Sequence, residues 1–565
     1  MAAAEPEAEE FLVWFAHQNC YFNMRFQEFE ALASMVGVQS RRDLYVADPP
    51  PTAMWESPFV RVRLPGGERA ARAICERAVL VKAILKVWGT GADYVEAVEN
   101  ALADSGMASS RRAAVAPPRT FQIRVGAFGR TASMDNKREV MEAIRPLFRG
   151  DEVVDLHDPE STVWALEEHA HHNGEKTHLG PREGPPKCVF IAHQVAGGRS
   201  LNKKTASGEK AYYGKYDLSQ RAVLGPTTLD NQLAFIMANC ACACRGHVAL
   251  EPFMGTGGLM IALSHFEARV YGGEIDVRVV KGWRVAYTKN KAAVRQVAEA
   301  RRAAKAQAKD DEAAVPVAFG PAELDNALSL RHLVDLGLAP PSLMASTGKA
   351  VKPASGHAED SEDSLDIFTN FMQYSMPLPE VVICDASACP WRRTACGWVD
   401  CIVTDPPYGV RAASKKQGRN PDDRPVAIMD RATYIPSKVS YGEDELSRDL
   451  LELAATALVD GGRIVFLVPV DLADFLGIER AAERGGGARG TIRDAAMPHG
   501  GRVKDPRLVI SETSRDPLLL DEARYQDFVP GHSDLELLGA SLQILSGGLG
   551  RMLVTMRRRP RGSQT

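Results

Sequence analysis

Two short loops, each directly behind an apolar segment, constrain the fold of this chain most strongly. The first is Glu251-Pro-Phe-Met-Gly-Thr-Gly-Gly258, and the second is Thr404-Asp-Pro-Pro-Tyr-Gly409. Short apolar strands recur around them, and residues 259–267 have helical spacing. Strands that alternate with helices predict a parallel, doubly wound sheet, which binds ligands at the carboxyl ends of its strands. We therefore predict an α/β, Rossmann-like domain with both loops at its binding edge.

Length and composition limit the class of protein. A chain of 565 residues is too long for one hydrophobic core, so several domains are expected. The net charge of −4 argues against a wholly basic nucleic-acid coat but is compatible with a local basic face. The acidic start, Met1-Ala-Ala-Ala-Glu-Pro-Glu7, is unlike a signal peptide, so we expect a cytoplasmic protein whose ten cysteines are reduced. The tightest group, Cys240 to Cys244, lacks C-x-x-C spacing, and no metal site is expected.

Strand and helix patterns divide the chain into three units. Within the first two units, we predict helices over residues 70–88 and 161–169 and a linker over 109–118. The predicted organisation is a ferredoxin-like α+β domain plus linker at 1–118, a second α+β unit at 119–196, a linker at 197–223, and the Rossmann-like domain at 224–565 with insertions near 292–363 and 480–527.

Acidic residues at three predicted strand ends accompany the glycine-rich loop. Gly255 and Gly257 allow a tight turn, and the N–H groups at the following helix start attract an anionic group. Glu274 ends the next strand and is suited to binding two ribose hydroxyls, although Asp276 competes for that role. Asp385, with Ser387 beside it, follows another strand and is suited to accepting a hydrogen bond from an adenine amine. These acids predict a nucleoside site.

The second loop has the groups needed to hold an exocyclic base amine. Such an amine is a poor nucleophile because its lone pair is delocalised into the ring. The Asp405 carboxylate and the Pro406 carbonyl are expected to accept one amine hydrogen each, and Pro407 stiffens the loop. Tyr408 is placed to stack on a base swung out of its helix. Together with a nucleoside site, this loop predicts methyl transfer from S-adenosylmethionine to a base nitrogen.

Basic residues flank both parts of the predicted site and are candidates for phosphate contact. The group that begins at Arg411 directly follows the Asp405 loop, and this position favours a role in binding the substrate. The candidates are Lys203, Lys204 and Lys215, followed by Arg411, Lys415 and Lys416.

The combined motifs resemble one family, the catalytic subunits of the THUMP-domain tRNA guanosine-10 N2-methyltransferases. The residues that carry this resemblance are Leu224-Gly-Pro-Thr-Thr-Leu-Asp230, Glu251 to Gly258, Tyr271-Gly-Gly-Glu-Ile-Asp276, Asp385-Ala-Ser387 and Thr404 to Arg411. Residues 83–91 resemble the family's N-terminal domain, and residues 119–196 resemble its RNA-binding THUMP domain. The resemblance adds Thr227, Thr228, Phe253 and Thr256 to Glu251, Gly255 and Gly257 as expected cofactor-binding residues.

The resemblance implies methylation of the N2 amine of guanosine 10 in tRNA. It also implies that the N-terminal and THUMP domains grip the tRNA, and that a small zinc-binding activator subunit forms a heterodimer with the methyltransferase domain. Where the family commonly has aspartate, this chain has Glu251 and Glu274, which leaves open whether Glu274 or Asp276 holds the ribose.

Two other functions remain open from the sequence. The same Asp-Pro-Pro-Tyr geometry serves any exocyclic amine, so one alternative is an N6-adenine methyltransferase acting on DNA or another RNA. The other alternative is a non-catalytic RNA-binding scaffold that has kept a cofactor fold.

Overall fold

The computed structural model describes most of the chain outside several loops and the two predicted insertions. The described residues are 8–16, 21–47, 57–128, 134–169, 184–197, 211–225, 227–280, 290, 292–297, 299–300, 366–407, 414–418, 438–472, 475, 528–545 and 549–562. They fall into two compact units. The first unit contains Met1–Lys215, Gln232–Ala243 and Asp460–Thr565, and the second contains Tyr216–Asn231 and Cys244–Val459.

A seven-stranded mixed sheet forms the N-terminal part of the first unit. Its strand order is β2-β1-β3-β7-β6-β4-β5, in which β4 runs parallel to β5 and β6 and the other neighbouring pairs are antiparallel. The strands are β1 (Glu9–Phe15), β2 (Phe59–Leu64), β3 (Val81–Gly91), β4 (Thr120–Phe128), β5 (Val153–Val154), β6 (Ser161–Glu168) and β7 (Cys188–Gly197). In β2, apolar residues alternate with arginines, and the apolar ones are buried, which is the pattern of a strand with one covered face.

Six helices accompany this sheet. They are α1 (Arg25–Met35), α2 (Arg41–Leu44), α3 (Gly67–Arg77), α4 (Tyr94–Ala103), α5 (Ser105–Val115) and α6 (Met134–Ile144). Side chains of α1 and α3, including Phe29 and Ile74, share a buried apolar cluster with Val13 and Val62 of the sheet. The aspartates that precede α4 and α5 cap them by accepting backbone N–H bonds from Glu96 and Met107.

Three local predictions in this part of the chain were wrong. The helix predicted over 70–88 ends at Arg77, and the chain continues as β3, which pairs with strands on both sides and has six buried residues, including Val81 and Ile84. The segment predicted as a helix over 161–169 is β6, because its buried positions fit a paired, nearly covered strand. The linker predicted over 109–118 is helical as far as Val115 and is started by the Asp104 cap.

The first unit also contains segments that lie far along the chain. They are α7 (Asn231–Cys240) and the antiparallel strands β14 (Leu458–Asp471), β15 (Leu535–Ile544) and β16 (Leu549–Arg558), in the order β14-β16-β15. Gln27 of α1 donates to the Thr555 hydroxyl at 2.7 Å and accepts from the Ser541 hydroxyl at 2.7 Å. The N-terminal helix therefore packs against the last strands.

Four parallel strands form the central part of the second unit. Their order is β10-β9-β8-β11, and they are β8 (Val248–Glu251), β9 (Arg269–Glu274), β10 (Glu380–Ile383) and β11 (Val399–Thr404). The helices are α8 (Gly258–His265), α9 (Val277–Val280), α10 (Phe368–Gln373) and α11 (Glu443–Ala457). A separate antiparallel pair joins β12 (Lys415–Gln417) to β13 (Lys438–Ser440). The predicted α/β class with a preceding α+β region is confirmed.

The predicted insertion at 480–527 lies outside the described residues, as does nearly all of the one near 292–363. In the part of the chain that is described, no helix is long and apolar enough to cross a membrane. Within the same residues, no three His, Cys, Asp or Glu side chains come together as a metal site.

Candidate active site

The glycine-rich loop lies between β8 and α8 at the carboxyl edge of the parallel strands. Gly257 has a φ of +78° and caps the start of α8, a conformation that residues with a β-carbon rarely adopt. The loop is tied to β9 because the Met254 N–H donates to the Gly273 carbonyl at 2.9 Å. A β-carbon at Gly273 would lie 3.1 Å from the Pro252 carbonyl oxygen, so glycine permits this close approach.

Glu251, the last residue of β8, joins the two motif loops. One carboxylate oxygen accepts from the Phe253 N–H at 3.1 Å and from the Thr404 hydroxyl. The other oxygen, Oε2, is buried and has no hydrogen-bond partner among the described residues. Burial raises the pKa of Glu251 well above its ordinary value, and the charges of Asp405 and Glu274 raise it further. The carboxyl group is therefore predisposed to hold a proton.

Glu274 ends β9 and faces the glycine-rich loop. Its two carboxylate oxygens accept backbone N–H bonds from Gly255 at 3.1 Å and from Asp276 at 2.8 Å. Burial raises the pKa of Glu274, while these two hydrogen bonds lower it. Asp276, in contrast, forms an ion pair with Lys438 of β13 at 3.0 Å. The two candidate ribose acids thus lie in different environments.

Asp385 lies just beyond β10, next to the end of β9. One carboxylate oxygen accepts from the Ser387 backbone N–H at 2.9 Å and from the Ser387 hydroxyl at 2.8 Å. The other accepts from the Gln417 backbone N–H in β12. Asp385 and Ser387 are therefore adjacent, as the sequence predicted, and the β12–β13 pair lies against them.

The Asp405 loop follows β11, which pairs with β8 so that Ile402 lies opposite Leu250. Pro406 is buried, and Asp405 and Pro407 are half-buried. Thr404 donates to Glu251, and this bond fixes the start of the Asp405 loop against the start of the glycine-rich loop. Tyr408, predicted to stack on the base, lies outside the described residues.

The remaining predicted cofactor residues surround the start of α8. The Thr228 hydroxyl lies 3.0 Å from the Thr256 hydroxyl and accepts from the Gly225 N–H at 2.8 Å. Thr227, which precedes them, is exposed, and Phe253 is half-buried within the loop. The structure therefore brings a second polar segment to the glycine-rich loop.

The basic candidates for phosphate contact have unequal surroundings. Lys415 is exposed on β12, whereas its neighbour Lys416 forms an ion pair with Glu445. Lys215 belongs to the first unit and is exposed. The others, Lys203, Lys204 and Arg411, lie outside the described residues.

Four participants were missed by the sequence reasoning. Thr404 and Gln417 bind the predicted acids through a hydroxyl and a backbone N–H, Lys438 pairs with Asp276, and Arg221 lies buried behind α8. Thr404 adjoins a predicted motif, so its position was a usable signal. Nothing local marks Lys438, because its contact with Asp276 spans 162 residues.

Comparison with known proteins shows which proteins this chain is similar to. Residues 9–199 match the family model described as the Tmrp11 THUMP N-terminal domain. The tRNA (guanine(10)-N(2))-methyltransferase TRMT11 of Xenopus laevis is 25% identical over 467 residues, which cover 82% of this chain and 76% of that protein. The chain is similar to TRMT11 proteins along most of its length. The TRMT11 proteins of Dictyostelium discoideum (24% identity, 81% of this chain and 74% of that one) and Homo sapiens (25%, 74% and 72%) match similarly.

The resemblance read from the motifs is confirmed by these matches, which extend across both structural units. The relatives are enzymes by name, and the described residues retain the acids and the glycine-rich loop on which that resemblance rested. Among solved structures, TrmN from Thermus thermophilus matches with 14% identity and a TM-score of 0.33 over 97% of this chain and all of that one. A score that low carries no weight for the fold.

Proposed function

We propose that this protein methylates the exocyclic N2 amine of guanosine 10 in tRNA, using S-adenosylmethionine. The observation that carries the proposal is the hydrogen bond from Thr404 to Glu251, which places the Asp-Pro-Pro loop against the glycine-rich loop. The TRMT11 relatives, named for this reaction, support the choice of guanosine 10 and tRNA.

Asp405 and Pro406 supply the chemistry of the amine. The Asp405 carboxylate accepts one amine hydrogen and the Pro406 carbonyl accepts the other, so the nitrogen lone pair points away from both. The carboxylate also stabilises the positive charge that develops on nitrogen during transfer. Because Pro406 is buried and Pro407 is rigid, the loop holds this geometry without reorganisation.

The residues around the loop fit S-adenosylmethionine, which when bound supplies an electrophilic methyl group. Three acids lie at three strand ends, and Glu251 keeps one buried oxygen without a protein partner. We assign the ribose hydroxyls to Glu274, because Asp276 is engaged by Lys438. Asp385, held by Ser387 and Gln417, is assigned to the adenine amine.

The tRNA is expected to contact the THUMP-containing N-terminal region and the basic residues near the catalytic loop. Residues 9–199 match a THUMP family model, and Lys415 is exposed on β12, ten residues beyond Asp405. Lysines contact phosphates without reading sequence, so they position the tRNA while the catalytic loop selects the amine. Lys203, Lys204, Lys215, Arg411 and Lys416 are the other proposed phosphate contacts.

A small zinc-binding activator subunit is the proposed protein partner. Its proposed docking site is β10, which is the outermost of the described parallel strands. In β10, 39% of the surface of Val382 and 38% of that of Ile383 is exposed. An uncovered strand of this kind can pair with a strand of another chain. Val382→Asp should weaken binding of the activator, whereas Met141→Asp, at an exposed apolar position in α6, should not. Equal binding by both variants would contradict docking at β10.

The reaction is tested by incubating the protein with labelled S-adenosylmethionine and unmodified tRNA transcript, with and without the activator. Label recovered as N2-methylguanosine at position 10 is the expected product. Label recovered as N6-methyladenosine would replace the proposed substrate with adenine. Cofactor binding without label on any tRNA would refute the substrate assignment, and failure to bind the cofactor would favour a non-catalytic RNA-binding scaffold.

A further inference from the structure

Arg221 carries a buried positive charge. Only 1% of its surface is exposed, and its Nε donates to the Tyr216 carbonyl at 3.1 Å. Its Nη1 is buried and has no hydrogen-bond partner among the described residues. No described carboxylate forms an ion pair with it. A buried charge left unpaired destabilises a fold by several kcal/mol, on the order seen for broken buried ion pairs.

The guanidinium lies beside the start of α8. A β-carbon placed at Gly258, the first residue of the helix, would be 3.4 Å from Nη1 and 3.5 Å from the Thr228 methyl group. The Thr228 hydroxyl in turn lies 3.0 Å from the Thr256 hydroxyl in the glycine-rich loop. Arg221 and Thr228 therefore both lie at the start of α8, where the first backbone N–H groups of the helix have no intrahelical partner.

The electrostatics of this point favour an anion. A helix N-terminus carries a partial positive charge, and Arg221 adds a full one beside it. Burial lowers the pKa of Arg221, while Tyr374, Asp230 and Asp217 raise it. Tyr374 also faces it, but a neutral phenol cannot compensate the charge. An anion at the start of α8 would satisfy both positive groups.

The rest of the site would repel such an anion. Glu251, Glu274, Asp276, Asp385 and Asp405 surround the loop, and Lys438 is already paired with Asp276. These acids suit hydroxyls, amines and a developing cation. An amino-acid carboxylate needs a positive region apart from them, and the start of α8 is that region.

We propose that Arg221 is a cofactor-binding residue that holds the carboxylate of the amino-acid portion of S-adenosylmethionine at the start of α8. This role rests on the proposed cofactor. The proposed role divides the binding site by charge. The acids face the nucleoside and the methyl-accepting amine, whereas Arg221 and the start of α8 face the carboxylate.

The test compares ligands with and without the carboxylate by isothermal titration calorimetry on the full-length protein. The ligands are S-adenosylhomocysteine and its decarboxylated analogue, which keeps the nucleoside, the sulfur and the amine. Arg221→Met should weaken S-adenosylhomocysteine binding about tenfold or more and change binding of the decarboxylated analogue by less than about twofold. Arg221→Met should fold, since methionine removes a buried unpaired charge while filling similar space.

Arg221→Lys provides a second variant that retains the charge. It should weaken S-adenosylhomocysteine binding less than methionine does and leave the analogue unaffected. Equal weakening of both ligands by either variant would show a structural role, and unchanged affinity for both would also overturn the proposal. If the wild-type protein bound neither ligand, the proposed cofactor itself would fail, which is a distinguishable result.

Discussion

Asp405 is the residue on which the proposed chemistry depends most directly. Asp405→Ala removes the acceptor for one amine hydrogen and the negative charge that stabilises the cationic transition state. We expect kcat to fall by roughly 10²- to 10⁴-fold, with the affinity for S-adenosylhomocysteine nearly unchanged. The measurement is the initial rate of methyl transfer to tRNA transcript, together with calorimetry of the cofactor product.

Asp405→Asn is the matched variant, because it keeps the shape and one acceptor oxygen but removes the charge. It should retain more activity than Asp405→Ala and much less than wild type. Wild-type turnover in either variant would contradict the proposed mechanism.

The buried carboxyl group of Glu251 makes the stability of the protein depend on pH. Burial raises the pKa of Glu251 in the folded protein well above its ordinary value of 4.5. At a pH between these two pKa values, Glu251 is protonated in the folded protein and ionised in the unfolded chain. The contribution of Glu251 to stability therefore declines as the pH rises through that window. Glu251→Gln keeps the oxygen that accepts from Phe253 and Thr404 and has no charge to bury. The variant should be more stable than wild type at pH 8, by about 1–3 kcal/mol.

The measurement is the thermal midpoint of both proteins from pH 5 to 9, and the difference should grow with pH. Parallel midpoints at every pH would mean that Glu251 does not titrate as its burial implies. If the second oxygen of Glu251 serves the cofactor, the more stable variant should also bind S-adenosylhomocysteine less tightly, a familiar trade-off at functional sites.

At the scale of elements, the two ends of the β12–β13 pair have different surroundings. One end is fastened to the predicted nucleoside acids, through Gln417 to Asp385 and Lys438 to Asp276. The other end, where Lys415 lies opposite Ser440, exposes the Lys415 side chain. The pair is therefore suited to contacting cofactor and tRNA at once.

Two lysine variants test the two ends of the pair separately. Lys438→Met leaves the Asp276 carboxylate without its buried partner and should weaken S-adenosylhomocysteine binding about tenfold, with little effect on tRNA. Lys415→Met removes an exposed charge and should weaken tRNA binding and lower its salt dependence by about one unit of slope, with little effect on the cofactor. Calorimetry and filter binding measure the two affinities, and the same effect in both variants would contradict separate roles for the two ends of the pair.

The strand-end loops were predictable because their signals are local. A short apolar run, a glycine-rich turn and an acid at the next strand end sufficed to place Glu251, Glu274 and Asp385 at one edge of a parallel sheet. The β12–β13 pair was not predictable, because its three-residue strands have no periodic pattern. The segments 161–169 and 81–88 were misread as helices, since short buried apolar runs fit either period until their neighbours are known.

At the scale of the whole molecule, one buried network joins three distant parts of the first unit. The Asn239 amide donates to Glu28 at 2.8 Å and to the Arg77 carbonyl at 2.9 Å, and its oxygen accepts from the Arg77 guanidinium. Glu28 is fully buried and also accepts from the Val79 and Leu80 N–H groups. No local pattern could predict this arrangement, because residue 239 lies 211 residues from Glu28.

Asn239→Ala should lower the free energy of unfolding by about 2–4 kcal/mol, because Glu28 and Arg77 each lose the hydrogen bonds that Asn239 makes to them. Asn100→Ala is the control, since Asn100 is exposed and makes one hydrogen bond to the Thr90 carbonyl. Urea unfolding monitored by circular dichroism measures both. A similar, small loss in the two variants would show that the network contributes little.

The contact between Gln27 and Thr555 has a consequence for synthesis. The two residues are separated by 528 positions. At about 5–20 residues per second, the ribosome needs on the order of a minute to make the intervening chain. During that minute the nascent α1 helix has left the exit tunnel while its partners in β15 and β16 do not yet exist. One face of α1 therefore stays exposed to solvent during synthesis. A mutation that stops translation early removes the strands that cover this face, so its structural effect lies at the N-terminal helix.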